Sequence, residues 1–306
     1  MHRPLAAAAI LLLAFAVSGS AWAAFEGANG RIAFSRSAGA GFDYDIATMR
    51  PDGTGRRPVV ESRFADFEPA YSADGRRLIF VRDVDNRIFR ANNEIFTKNL
   101  VTGRVTRRTD HPAIDWNPAF SADGTQIAFS SDRGPGHEFD ILLLDLATND
   151  LSRISRPGDD FSPTYSADGD FILWSGYRAN GRADIFKLEL FGGVIQRVTN
   201  TPGASEEEPS LNPAMTRIVY QRWQRTDTEI VTRPLGGGSV RFLTENGVSD
   251  LRPVFSPNGK RIAWERSWDE TDTSGQIWTM HADGSHKRAR TPRSFDADSP
   301  DWQPRT

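Results

Sequence analysis

Short apolar runs recur along this chain at a regular distance. Most of them follow an Asp-Gly or Asn-Gly pair, and they show no alternation of polar and apolar residues. Such runs predict short strands that are buried on both faces. The predicted strands are Arg31–Phe34, Arg77–Val81, Gln126–Phe129, Phe171–Trp174, Arg217–Tyr220 and Arg261–Trp264.

A motif, Pro-x-aromatic-Ser-x-Asp/Asn-Gly, precedes these runs and gives the chain its period. Clear copies begin at Pro69, Pro118, Pro163 and Pro253, and degraded copies begin at Pro209 and Pro300. Neighbouring prolines lie 44 to 49 residues apart. A repeat of this length that consists entirely of strands indicates a β-propeller.

Each repeat divides into four strands. The proline begins the innermost strand, where no ladder donor is needed, and the Asp-Gly pair forms a hairpin turn to the second strand. Third strands are predicted at Asp45–Met49, Glu94–Asn99, Asp140–Leu144, Asp184–Leu188, Glu229–Thr232 and Gln276–Met280. The outermost strands are polar and end near Thr109, Thr199, Thr244 and Thr291. The change from apolar inner strands to polar outermost strands is typical of radially arranged blades whose outer edges contact water.

The two ends of the repeat array are incomplete. The first unit starts at the Asn29-Gly30 turn without an innermost strand, whereas the last unit stops after one, at Pro300–Gln303. We expect the C-terminal strand to complete the N-terminal blade and to close the ring, which removes an exposed edge. The sequence therefore predicts an all-β fold, a six-bladed β-propeller of four-stranded antiparallel blades.

The N-terminal residues have the features of a secretory signal peptide. Arg3 is followed by an apolar run from Leu5 to Val17 and by Ala21-Trp22-Ala23, so cleavage is expected near Ala23–Ala24. A membrane anchor is the alternative, but the run is short for a span. Residues 1–23 are thus expected to be a signal peptide and 24–306 a single domain, without a further membrane span.

Composition and charge exclude some kinds of chemistry and some partners. The chain has no cysteine, which excludes disulfides and cysteine-based metal or nucleophile chemistry. Its formal net charge is -3, and its basic residues form no run, so nucleic-acid binding is not expected. We expect a monomer.

The repeat resembles that of a known family. The Pro-x-aromatic-Ser-x-Asp-Gly motif, the apolar strand after it and the Asp-Ile start of several third strands are similar to the TolB-type, WD40-like propeller repeat. The resemblance covers the predicted propeller and implies a periplasmic or secreted bacterial protein. The TolB family also carries an α/β domain before its propeller, which this sequence does not show between the signal peptide and the first blade. Related repeats occur in some serine peptidases and in oligogalacturonate lyases.

One repeat position carries chemistry as well as packing. A carboxylate stands three residues before each of five prolines, and in the last unit Ala297 takes that place between Asp296 and Asp298. These positions should meet around one mouth of the channel. They predict either carboxylates that bind loop amides or a negative ring that attracts a peptide or a cation such as Ca²⁺. The candidate ring is Asp66, Asp115, Asp160, Glu206, Asp250 and Asp298.

The loops between second and third strands carry arginines and aromatic residues and should open on the same face. Arginines at Arg36, Arg82, Arg222 and Arg266 occur two residues after the strand aromatic, which favours pairing with the ring. Residues of these loops that do not recur at a fixed repeat position are the better candidates for partner contacts, because arginine, tryptophan and tyrosine dominate binding hot spots. They are Tyr177, Arg178, Trp223, Arg225 and Trp268.

Enzyme motifs are missing from the sequence. It contains no Gly-x-Ser-x-Gly elbow, no His-Glu-x-x-His and no phosphate-binding glycine loop. We therefore expect a non-enzymatic scaffold without a cofactor that binds a protein or peptide of the cell envelope over the channel mouth. The alternatives are a carbohydrate-active or hydrolytic enzyme that uses the mouth carboxylates, and a cation or small-molecule sensor.

Overall fold

Strands account for every regular element in the described part of the chain. A computed structural model describes residues 26–37, 44–85, 92–134, 136–155, 158–178, 181–224, 227–268 and 275–305. The predicted signal peptide lies outside these residues. Within them, no helix has the length and apolar character that crossing a membrane would require.

The strands form four concentric sets. The innermost strands are β4 (Asp66–Tyr71), β8 (Asp115–Phe120), β12 (Asp160–Tyr165), β16 (Ser205–Leu211), β20 (Ser249–Phe255) and β24 (Ala297–Arg305). The second strands are β1 (Ala28–Ser37), β5 (Arg77–Asp83), β9 (Gln126–Ser131), β13 (Phe171–Tyr177), β17 (Arg217–Gln224) and β21 (Arg261–Ser267). The third strands are β2 (Tyr44–Met49), β6 (Asn93–Asn99), β10 (Asp140–Asp145), β14 (Ala183–Glu189), β18 (Asp227–Pro234) and β22 (Gly275–His281). The outermost strands are β3 (Arg57–Val60), β7 (Val105–Arg107), β11 (Leu151–Arg153), β15 (Ile195–Arg197), β19 (Arg241–Phe242) and β23 (Arg288–Ala289).

These strands pair into six four-stranded antiparallel sheets, which we number as blades 1 to 6. Blade 1 has the order β24-β1-β2-β3, and each later blade uses four consecutive strands. The pairing of β24 with β1 aligns Trp302 with Ile32. The prediction of six blades closed by the C-terminal strand is therefore confirmed.

The Asp-Gly pairs form the predicted turns between innermost and second strands. In blade 2 the Ser72 carbonyl accepts from Gly75 N at 2.8 Å, and Gly75 has a φ of 65°. Asp74 accepts from the Arg76 N–H at 3.0 Å and from the Ser72 hydroxyl at 2.5 Å. A side chain that satisfies the turn amides, followed by a glycine with positive φ, explains why the motif recurs.

The apolar core lies between adjacent blades. The second strands are buried on both faces, as Leu78, Ile79, Phe80 and Val81 of β5 illustrate. The recurrent threonines also have a structural reason. The buried Thr109 hydroxyl, for example, accepts from the N–H of Ile95 at 2.9 Å, and the same bond recurs in three other blades. Each such threonine satisfies an amide that the short outermost strand leaves unpaired.

Candidate binding site at the channel mouth

Five of the six predicted carboxylates stand at the channel mouth but are not exposed to it. Asp66, Asp115 and Asp160 are the first residues of their strands, and Glu206 and Asp250 are the second. All five are at most 1% exposed. In blade 1 the equivalent residue is the buried Ala297, and Asp298, one residue later, is half-buried.

An arginine of the same blade neutralises each of the five buried carboxylates. The shortest contacts are Arg82–Asp66 2.6 Å, Arg133–Asp115 2.6 Å, Arg178–Asp160 3.3 Å, Arg222–Glu206 2.6 Å and Arg266–Asp250 2.7 Å. Arg36, which faces Ala297 across the blade, instead contacts Asp45 at 3.6 Å. The ring is therefore a set of five ion pairs with buried carboxylates rather than an open ring of negative charge. Calcium binding there stays a prediction, and the described residues contain no group of three or more acidic or histidine side chains placed to hold a metal ion.

The residue before each repeat proline forms a second ring, which the sequence reasoning missed. Its members have left-handed backbone conformations with φ between 49° and 56°. In four blades a side chain of the preceding blade accepts the N–H of this residue, for example Ser35 Oγ from Glu68 N at 3.1 Å. The resulting bulge turns these side chains toward the channel. They are Glu68, Asn117, Ser162, Glu208, Arg252 and Ser299.

Several carboxyl groups of the channel wall are held toward the neutral form. Burial raises the pKa of Glu68 to about 7 and that of Asp301 to about 7. Burial also raises the pKa of Glu208. The guanidinium of Arg252 opposes these shifts at Glu68 and Glu208, but it is itself paired with Glu265 at 2.6 Å. The channel wall thus contains more acidic than basic side chains, and burial keeps part of the acidic ones uncharged.

The predicted contact residues divide between the mouth and its rim. Tyr177 is half-buried and donates its hydroxyl to Glu207 at 2.7 Å. Trp223 is 42% exposed and lies under the guanidinium of Arg182. Trp268 lies under the guanidinium of Arg293, 4.3 Å from its ring centre. Arg178 is the ion-pair partner described above, and Arg225 lies outside the described residues.

Two neighbouring cavities open at the mouth. The first has a volume of about 320 Å³ and is lined by Trp116, Phe161 and Tyr177 on one side and by Glu207 and Glu208 on the other. The second, of about 480 Å³, shares Tyr177 and Glu207 and extends to Trp223. Together they form a groove across blades 3 to 5, which we call the mouth groove. Volumes in this range are those of ordinary ligand sites.

The half-buried carboxyl of Asp301 in the channel wall predicts a pH-dependent stability. Its pKa is about 7 in the folded protein against an ordinary value of 3.8. The stability that it contributes is therefore fully present below 3.8 and is lost as the pH rises through about 7, at up to about 1.4 kcal/mol per pH unit. Asp301→Asn keeps an oxygen that can accept the Tyr71 N–H, a bond of 2.7 Å, but cannot ionise. In urea unfolding, the free energy of unfolding of Asp301→Asn is expected to increase relative to that of the wild type as the pH rises.

The control for this measurement is Asp150→Asn, which removes an exposed carboxylate from a turn. The difference in free energy of unfolding between this control and the wild type should stay constant over the same pH range. If the difference between Asp301→Asn and the wild type is equally constant, the suppressed ionisation of Asp301 is contradicted.

Comparison with known proteins agrees with this architecture. A family model described as the TolB beta propeller domain matches residues 23–306. The Tol-Pal system protein TolB of Francisella tularensis subsp. tularensis (strain WY96-3418) is 29% identical over 242 residues, which cover 78% of this chain and 54% of that protein. The chain thus spans about half the length of the curated relatives it matches.

Solved structures with the same fold include two TolB proteins. The crystal structure of TolB from Acinetobacter baumannii superimposes with a TM-score of 0.76 at 22% identity, over 90% of this chain and 67% of that one. A putative TolB from Agrobacterium tumefaciens gives a TM-score of 0.71 at 17% identity, over 90% and 99% of the two chains. At these identities the structures support the fold alone.

Proposed function

The chain belongs to the TolB beta propeller family, and we propose that it is an exported scaffold that binds a protein or peptide partner over the channel mouth. The observation that carries the proposal is the mouth groove, which is lined by partly exposed aromatic side chains and carboxylates. Most of the remaining sequence is used by the blades themselves. Aromatic side chains at a concave surface are the usual anchors of a protein interface.

The partner we propose is a component of a Tol-Pal system in the cell envelope. The curated relatives carry the name of that system, and the predicted cleavage near Ala23–Ala24 would release the propeller into the periplasm. The family membership and the export signal support the same compartment. A monomer is the form in which the whole mouth stays accessible.

The arrangement favours binding over catalysis. The five buried carboxylates of the first ring are committed to arginine partners, which leaves none of them available as the acid–base pair that glycoside cleavage needs. Within the described residues, His281 and His286 stack on each other at 4.4 Å beside the Asp283-Gly284 turn, far from the mouth along the strands. Both observations support a scaffold role rather than a hydrolase.

Titration with the purified Pal protein of the same organism tests this function. We expect Trp223→Ala to weaken binding by roughly 30-fold or more, the loss typical of a hot-spot tryptophan. The matched control is Leu151→Ala, because Leu151 is 40% exposed against 42% for Trp223 but lies beside the turn between the third and outermost strands, on the opposite face. Equal affinities of the two variants, or no binding by the wild type, would contradict the proposal.

A further inference from the structure

The first cavity of the mouth groove combines an aromatic wall with an acidic floor. The wall comes from blades 3 and 4, and the floor comes from blade 5 and from the channel ring. Some of these residues also link neighbouring blades: Trp116 packs on the core between blades 2 and 3, and Glu68 accepts from the Asn117 N–H at 2.8 Å. The aromatic faces and carboxyl groups that stay open to the cavity nevertheless form a surface that a ligand can bind.

Three aromatic rings line the cavity, those of Trp116, Phe161 and Tyr177, and Phe139 lies beside it and joins them into a continuous row. Trp116 stacks on Phe139 with ring centres 5.6 Å apart, Phe139 contacts Phe161 at 4.8 Å, and Phe161 meets Tyr177 edge to face at 6.1 Å. All four side chains are partly exposed. Faces of aromatic rings attract cations because their quadrupole is negative above the ring plane.

The floor holds a carboxylate in a fixed orientation. Glu207 accepts from the Tyr177 hydroxyl at 2.7 Å, from Ser205 Oγ at 2.7 Å and from Gln221 Nε2 at 3.2 Å. Glu208 lies next to it in the same cavity. Three donors on one carboxylate preorganise it at the edge of the aromatic wall, which lowers the cost of ordering a bound group.

The charge of the lining is unbalanced. Glu68 and Asp159 also line the cavity, so the described lining contains four carboxyl groups. Arg252 is the one basic side chain among these described lining residues, and it is already paired with Glu265 at 2.6 Å. Arg252 also acts on Glu68 and Glu208, whose pKa values burial raises. The lining thus holds more acid than base, and an incoming cation would favour the ionised form of these carboxyl groups beside the aromatic faces.

We propose that this cavity binds a cationic side chain, arginine or lysine, presented by a peptide segment of the partner. The inference rests on the proposed function, because the partner supplies the peptide. The cation would lie against Trp116 and Phe161, with Glu207 and Glu208 as its counter-ions. The second cavity, which continues to Trp223, would take the residues that flank the cation.

The aromatic wall separates an organic cation from a metal ion. Calcium takes six to eight oxygen ligands, and ring faces supply none. A guanidinium or an alkylammonium group can instead bind an aromatic face and a carboxylate at the same time. The carboxyl groups and the aromatic faces of the lining thus together favour an organic cation.

The test uses the full mature chain and the indole N–H resonance of Trp116, which is identified by its loss in Trp116→Phe. The probes are N-acetyl-arginine amide, its uncharged counterpart N-acetyl-norleucine amide and calcium chloride. We expect the arginine amide to shift the resonance saturably and the norleucine amide to leave it in place. Glu207→Gln with Glu208→Gln should weaken the arginine amide at least tenfold, whereas Asp150→Asn, an exposed charge on the opposite face, should not.

Three results would overturn the inference: an equal response to norleucine amide, a response to calcium without one to arginine amide, or no saturable shift. The comparison of the two amides uses the wild type, so it stands even where a variant does not fold. Failure here together with tight Pal binding would remove the cation site and leave the proposed function intact. Cation binding without Pal binding would support the cation site and contradict the proposed function.

Discussion

A chain that lacks β24 (Ala297–Arg305) is expected to lose its cooperative unfolding transition. This strand is the innermost strand of blade 1, although it is the last in the sequence. Its removal exposes the edge of β1 and opens the ring between blades 1 and 6. Because each blade stabilises its neighbours by packing, the loss should spread beyond blade 1.

A single residue of this strand should already have a large effect. Trp302 is 2% exposed and packs in one cluster with Ile32, Phe34 and Met49. Its replacement by alanine removes a large buried side chain and leaves a cavity, which typically costs about 3–5 kcal/mol. That is a substantial part of the roughly 5–15 kcal/mol by which domains are stable.

Calorimetry of the truncated chain and of Trp302→Ala measures both effects. Phe242→Ala is the matched control, since Phe242 is an aromatic residue of an outermost strand and is 37% exposed. We expect the control to melt close to the wild type and Trp302→Ala well below it. A truncated chain with the melting temperature of the intact protein would show that the ring does not depend on this closure.

Asp66→Asn is expected to destabilise the propeller by about 3–5 kcal/mol, because it leaves the largely buried guanidinium of Arg82 without its counter-ion. Asp66 is fully buried and accepts from Arg82 Nε at 2.6 Å and Arg82 Nη2 at 2.9 Å. An amide keeps the shape of the carboxylate but loses its charge and faces one of the donors with its own N–H. Thermal unfolding should shift by roughly 6–20 °C.

The origin of this loss is tested by a second substitution. If the stranded charge is the cause, Asp66→Asn combined with Arg82→Met should be less destabilised than the sum of the two single variants. Glu189→Gln serves as the control, because Glu189 pairs with Lys187 at the surface and is 34% exposed. Simple additivity in the double variant would show that the pair is not coupled.

The periodicity of the sequence predicted most of the fold. Proline spacing located the innermost strands, and the apolar runs located the second strands, because both patterns follow directly from strand burial. The closure by Pro300–Gln303 followed from the missing strand at Asn29-Gly30. Strand lengths were less predictable, since β1 continues to Ser37, past the apolar residues that mark it.

The candidate site was harder to predict, because it depends on contacts between blades. The spacing correctly placed Asp66 and its equivalents at the mouth, but only the fold shows that they are buried against arginines. Trp116 and Phe161 share a repeat position, two residues before their prolines, so the repeat did contain a signal for them. Phe139 comes from a loop outside the motif, and only the fold shows that it joins the other two rings. The residues of the second ring, such as Glu68, stand directly before the repeat prolines, so the sequence located them. That their side chains point into the channel follows from the backbone bulge, which the sequence did not predict.

The central claim is that the partner occupies the mouth groove, and site-specific photo-crosslinking tests it most directly. A photoreactive phenylalanine analogue is placed either at Trp223 in the groove or at Leu151 on the opposite face, two positions of similar exposure. We predict that purified Pal crosslinks to the Trp223 position and not to the Leu151 position. Crosslinking at Leu151 with none at Trp223 would contradict the account.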